Sequence, residues 1–151
     1  MSLKIQFGCG ENRLDGWVNH DIDLDVTKPP YPFPYLSADR IHAEHLGEHL
    51  TGPELLNFLT ECYKILKPGG VMRLCCPVIK EMMGRGWARD LTLGHGHKLV
   101  LNRDVMTMFL WMAGFEMAEI RQRPRISDDG HWKIIGEVKD DHETCRMEAT
   151  K

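Results

Sequence analysis

The residues best suited to chemistry are two glycines and an acid near the start of the chain. Phe7-Gly8-Cys9-Gly10 closes a short apolar run that contains Ile5 and Phe7. Glycines at a strand end let backbone N–H groups approach a ligand closely, as nucleotide-binding loops do. A tight turn would use the same two glycines, so this short motif does not separate the readings alone. Asp21 ends a second strand-like run, Trp17 to Ile22. A carboxylate there offers two acceptor oxygens to the cis diol of a ribose. Asp23 and Asp25 are close rivals, and a plain surface acid is the alternative for each.

Histidines form the second chemical set. His45, Glu48 and His49 read H-x-x-E-H, a zinc-protease spacing. That chemistry needs both histidines on one helix face and a third ligand. Gly47 and Thr51-Gly52-Pro53 interrupt any such helix, so no metal centre is expected, and His49 reads as a partly buried hydrogen-bonding residue. His95-Gly96-His97 lies in a glycine-rich stretch with Arg85 and Trp87. These groups suit an acceptor pocket, a metal or a proton transfer, and equally a solvated loop. His45, His49, His95 and His97 all titrate near neutrality when unperturbed, and none is singled out as a catalytic base. Cys75 and Cys76 alternate faces of a strand and read as core; Met106, Met108 and Met112 read as core filling.

The elements that position these groups follow from periodicity. Strands are predicted over 3–7, 17–22, 39–45 and 71–76. Only about six residues separate Gly10 from Trp17, too few for the usual crossover helix, so a turn or stub is expected there. Residues 28–37 are proline-rich and must be a loop. A helix over 53–66 is marked by Thr51 and Glu54 as a capping box, by a broad apolar face and by the stop Pro68-Gly69-Gly70. A short helix and an exposed loop are expected over 80–101. Asn102 caps a second helix, with Val105, Met108, Phe109 and Met112 at helical spacing and Gly114 as its stop. Residues 115–123 and 131–138 read as an antiparallel pair, and 139–151 as a polar, frayed tail beyond a domain over 1–138.

The chain has 151 residues, 42% hydrophobic and 27% charged, with a net charge of −3. That suits one globular domain and supplies no basic field for nucleic acid or anionic membrane. No apolar stretch approaches the ~20 residues of a membrane span, and no signal peptide is read at the N-terminus. The five cysteines include no C-x-x-C pair, so reduced thiols and a cytoplasmic location are expected.

Taken in order, several segments resemble the class I S-adenosylmethionine-dependent methyltransferases, in a compact form with a shortened first helix. They are Gly8-Cys9-Gly10, Gly16-Trp17-Val18-Asn19-His20-Asp21-Ile22, Pro32-Phe33-Pro34 with Ser37-Ala38-Asp39-Arg40-Ile41, and His45-Leu46-Gly47-Glu48-His49-Leu50. The closest match is Glu61-Cys62-Tyr63-Lys64-Ile65-Leu66-Lys67-Pro68-Gly69-Gly70, and Ala113-Gly114-Phe115 follows. The resemblance covers residues 3–138.

It implies an α/β three-layer sandwich with a Rossmann-like, mostly parallel sheet and a C-terminal antiparallel strand pair. It also implies S-adenosylmethionine as cofactor, held by Phe7, Gly8, Cys9, Gly10, Asp21 and Ile22, with His45 beside the methyl donor. His49, Trp87, His95 and His97 would face a small-molecule acceptor. No residue is assigned to the adenine; Asp25 and Val26 are candidates. The shielding element would be the 84–98 loop, the proline-rich loop, or a homodimer partner over an apolar sheet face left open. A non-catalytic relative is the rival reading, and a zinc hydrolase built on His45, Glu48 and His49 the third.

Overall fold

The computed structural model describes residues 2–77, 96–122 and 144–151. Among these residues six strands form one sheet: β1 (Leu3–Phe7), β2 (Val18–His20), β3 (Ala38–Glu44), β4 (Leu66–Pro77), β5 (Ile120–Gln122) and β6 (Thr144–Thr150). Two helices accompany them, α1 (Gly52–Ile65) and α2 (Arg103–Met112). The order is β2-β1-β3-β4-β6-β5, with the first four parallel and β6 antiparallel to both neighbours. The expected α/β class, parallel sheet and terminal antiparallel pair are therefore present.

Period-two alternation builds the core. Ile5 and Phe7, Ile41 and Ala43, Met72, Leu74 and Cys76, and Cys145, Met147 and Ala149 all join one cluster. Leu55, Phe58, Leu59 and Cys62 of α1 and Met106, Phe109 and Leu110 of α2 complete it. Several alternate positions are polar. Register aligns Gln6, His42, Arg73 and Glu148 in one row across four strands, and all four are buried. On the sheet face expected to be open and apolar, these four positions are polar and buried.

Helix α1 starts where the capping signal placed it. The Thr51 N–H donates to Glu54 Oε2 at 2.7 Å, and the Thr51 hydroxyl donates to the same oxygen at 2.8 Å. Its end differs from expectation, because β4 begins at Leu66 without an intervening turn. Lys67–Gly70 instead forms a bulge: Ala38 pairs with Leu66 but Arg40 with Val71. Gly69, at φ 77°, makes the bend, and its N–H donates to the Lys151 carbonyl. In α2 the Asn102 side chain accepts from the Val105 N–H at 2.9 Å. The apolar face of α2 is rotated by one residue from the expected one. Met106 is buried, whereas Met108 and Met112 are exposed.

The largest correction concerns the polar tail. Residues 144–150 form β6, an interior strand between β4 and β5. Cys145, Met147 and Ala149 supply an apolar face, while Arg146 and Glu148 are buried on the other. Charged residues at alternate positions hid the strand from a reading that sends charge to solvent. The other expected partner strand, 131–138, lies outside the described residues, as do 80–95.

Gly114 ends α2 at φ 115°, and a Cβ there would stand 3.1 Å from the Tyr63 ring. Gly114→Ala is expected to cost about 1–2 kcal/mol, from left-handed strain plus the displaced ring. Urea denaturation checks this; a change under ~0.3 kcal/mol would contradict it.

Candidate functional site

Because β1 to β4 run parallel, their carboxyl ends share one sheet edge. The chain leaves β1 for β2 on one side, then returns to β3 on the other. Such a reversal opens a crevice outside the carboxyl ends, where α/β sheets take ligands. Three segments border it: the loop after β1, the acids after β2, and His45–His49 after β3.

The two loop glycines do different work. Both are left-handed, Gly8 at φ 66° and Gly10 at φ 49°. A Cβ on Gly8 would lie 3.3 Å from Leu46 Cβ, so its bareness lets the β1 and β3 loops meet. A Cβ on Gly10 would meet nothing within 4 Å, so Gly10 faces open space. Between them Cys9 is buried, and its N–H donates to the His20 carbonyl at 3.1 Å.

No helix intervenes between β1 and β2. The Asn19 side chain holds the loop instead, accepting from Leu14 N–H at 2.9 Å and donating to the carbonyls of Leu14 and Trp17, both at 3.0 Å. Gln6 Nε2 adds a bond to the Asn12 carbonyl at 3.0 Å. Beneath the loop, Phe7 packs against Phe58 and Tyr31, each 5.4 Å away between ring centres, and Phe33 lies 5.5 Å from the His20 ring. Asn19, Tyr31 and Phe33 were not singled out from sequence. The aromatic residues set between prolines were the signal available for the last two.

The three rival acids separate cleanly. Asp23 binds His20 Nδ1 at 2.6 Å and the Asp21 N–H at 2.7 Å, and the backbone bond foremost lowers its pKa. Asp25 holds Lys28 at 2.8 Å and Thr27, and these bonds bring its pKa down to about 2. The Asp21 carboxylate makes no hydrogen bond or ion pair among the described residues, and Asp21 is half-buried. Its acceptor oxygens are the ones left for a ligand. Ile22, expected beside the cofactor, follows Asp21 at the same strand end and is 97% exposed.

His45 sits in the left-handed region at φ 50°, which few non-glycine residues adopt. Its N–H donates to the Cys75 carbonyl at 2.9 Å, which fixes it at the β3 end. Its Nδ1 lies 3.3 Å from Glu48 Oε1, and that bond raises its pKa. One turn of 3-10 helix follows over Gly47–His49. His45 precedes that turn, so His45 and His49 share no helix face, as a zinc protease would require. His49 packs instead against His97, with ring centres 4.8 Å apart. Trp87 and His95 lie outside the described residues. A cavity lined by Ser2, Lys4, Asp39, Arg40 and Lys67 lies at the opposite sheet edge, away from these groups.

All five cysteines are buried. Burial pushes the Cys62, Cys75 and Cys76 thiols far above their ordinary range, which removes the thiolate needed for nucleophilic work. Native protein is expected to react with a thiol reagent at least ~100-fold more slowly than denatured protein. Rapid stoichiometric labelling of Cys75 or Cys76 at pH 7 would contradict this core reading.

Comparison with known proteins agrees with this architecture. No family model matches the chain. A Mycolicibacterium smegmatis protein described as a probable S-adenosylmethionine-dependent methyltransferase is 32% identical over 88 residues, 58% of this chain and 32% of that protein. The chain thus spans about a third of the length of the curated relative it matches. Among solved structures, a SAM-dependent methyltransferase from Archaeoglobus fulgidus superposes with a TM-score of 0.67 at 13% identity, over 99% of this chain and 86% of that one. A possible histamine N-methyltransferase from Thermotoga maritima gives 0.64 at 13% identity, over 100% and 83%. Human N-acetylserotonin methyltransferase in complex with SAM gives 0.62 at 13% identity, over 99% and 40%. The chain has the Rossmann-like fold of the S-adenosylmethionine-dependent methyltransferases.

Proposed function

We propose that the chain binds S-adenosylmethionine in the crevice between the β1 and β3 ends and transfers its methyl group to a small-molecule nucleophile. The observation that carries this reading is the reversal of strand order, which leaves the Gly8–Gly10 loop, Asp21 and His45 at the same carboxyl end of the sheet. The residues present fit the cofactor. Gly10 leaves space where a side chain would stand, and Asp21 offers uncommitted acceptor oxygens to ribose hydroxyls.

When bound, the cofactor supplies an electrophilic methyl on a sulfonium, so the protein's task is to bind and align. Holding two reactants in line supplies ~7–11 kcal/mol of a barrier. The Gly8–Gly10 backbone would hold the methionine portion, and Asp21 the ribose. His45, fixed by the Cys75 carbonyl and by Glu48, would border the acceptor side. The relative from M. smegmatis and the solved methyltransferases support the cofactor and the reaction class.

The test is transfer of tritium from methyl-labelled S-adenosylmethionine to a panel of small hydroxyl, amine and thiol acceptors. Label in one acceptor class is the expected result. Tight cofactor binding with no transfer to any acceptor would favour a non-catalytic module. Light scattering decides whether a second copy completes the site.

A further inference from the structure

We propose that Glu48, His49 and His97 form a binding site for a divalent first-row transition metal of the zinc type. One ligand atom from each lies within 4.8 Å of the others. The sequence separates His97 from the other two by almost fifty residues. Backbone bonds bring it back: the N–H groups of Lys98 and Leu99 both donate to the Glu48 carbonyl, at 2.8 and 3.1 Å. Gly96, at φ 75°, turns the chain just before His97. The segment is thus clamped onto the 3-10 turn that carries Glu48 and His49.

Glu48 supplies the second, independent observation. Its side chain is 3% exposed, and its Oε2 has no hydrogen-bond partner. Among the described residues, His45 Nδ1 reaches Oε1 at 3.3 Å, and the Cys76 thiol also bonds this carboxylate. Buried carboxylates ordinarily have their acceptors satisfied by donors or by a cation. A cation held between this carboxylate and the two half-buried imidazoles would satisfy it.

Donor chemistry narrows the ion. Two imidazoles and one carboxylate match zinc, cobalt, nickel or ferrous iron, whereas magnesium and calcium prefer oxygen alone. Donors around a tetrahedral ion at ~2.1 Å stand about 3.4 Å apart. Side-chain rotation closes the remaining distance. Three protein ligands leave one position for water or a ligand oxygen, beside the crevice at the β3 end. His45 is a positioning residue, bonded to the carboxylate rather than to the ion. This ligand set differs from the H-x-x-E-H pattern, which would use His45 itself. The site does not depend on the cofactor reading, since metal binding is measured without S-adenosylmethionine.

The experiment uses tag-free full chain stripped with chelator. Zinc chloride is titrated calorimetrically, and cobalt chloride is followed by its visible absorption. One ion per chain is expected, with a cobalt spectrum of nitrogen and oxygen ligation and a rise in thermal midpoint with zinc. His97→Ala and His49→Ala should each weaken binding at least ~100-fold and remove the thermal rise; His45→Ala should weaken it ~10-fold. Glu48→Gln tests the carboxylate. If that variant does not fold, His97→Ala decides, because its side chain is only half-buried. Absence of stoichiometric zinc and cobalt binding, or unchanged affinity in folded His97→Ala, would overturn the proposal. Parallel calorimetry with S-adenosylmethionine keeps failure of this site distinct from failure of the cofactor reading.

Discussion

Arg73→Met is expected to destabilise the fold by about 3–5 kcal/mol, the scale for breaking a buried ion pair by removing one partner. Arg73 and Glu148 face each other across β4 and β6, and both are buried. Arg73 Nε donates to Glu148 Oε1 at 2.9 Å, and Nη2 donates to the same oxygen. With the guanidinium gone, a carboxylate remains in the interior of the sheet and resists ionisation there. The double replacement Arg73→Met with Glu148→Leu should recover most of the loss, because two apolar groups replace both charges. Urea denaturation of the parent, Arg73→Met, Glu148→Leu and the double variant forms the cycle. A single-variant loss below ~1 kcal/mol would show that the pair does not hold β6 in place.

Asp21→Ala is expected to weaken S-adenosylmethionine binding by ~1.5–3 kcal/mol, a roughly 10- to 150-fold rise in Kd. The neighbouring acids make the sharp control. Asp23 is committed to His20 and Asp25 to Lys28, so Asp23→Ala and Asp25→Ala should leave the affinity within about threefold of the parent. Cofactor titration by calorimetry reads all three. A large effect from Asp23→Ala with none from Asp21→Ala would mean that the wrong acid faces the ribose.

These outcomes bear on what a sequence can disclose. Helix α1 was legible from Thr51 and Glu54, because capping is local and its donor and acceptor residues sit three apart. The β1 loop was legible because left-handed backbone selects glycine, as at Gly8 and Gly10. Strand β6 was not legible. Its buried Glu148 pairs with Arg73, 75 residues away, and burial of charge is visible only once both strands are placed. The phase of α2 was misread because Met108, Trp111 and Met112 are large, apolar and exposed, a common pattern that periodicity cannot discount. The acids after β2 share one chemistry in sequence; their hydrogen bonds alone distinguish Asp21. Glu48 and His97 were separable candidates, and only the backbone clamp at Lys98 and Leu99 brings them together.

The central claim is that this cleft holds S-adenosylmethionine, and calorimetric titration of the purified chain with that cofactor tests it most directly. Gly10→Ala serves as the local probe, since its added methyl enters open space in the protein and costs only ~1 kcal/mol of left-handed strain. The account predicts one cofactor bound per parent chain at micromolar Kd or tighter. It also predicts a loss of affinity of at least tenfold in a Gly10→Ala variant that remains folded by circular dichroism. No heat of binding in the parent, or equal affinity in folded Gly10→Ala, would contradict it.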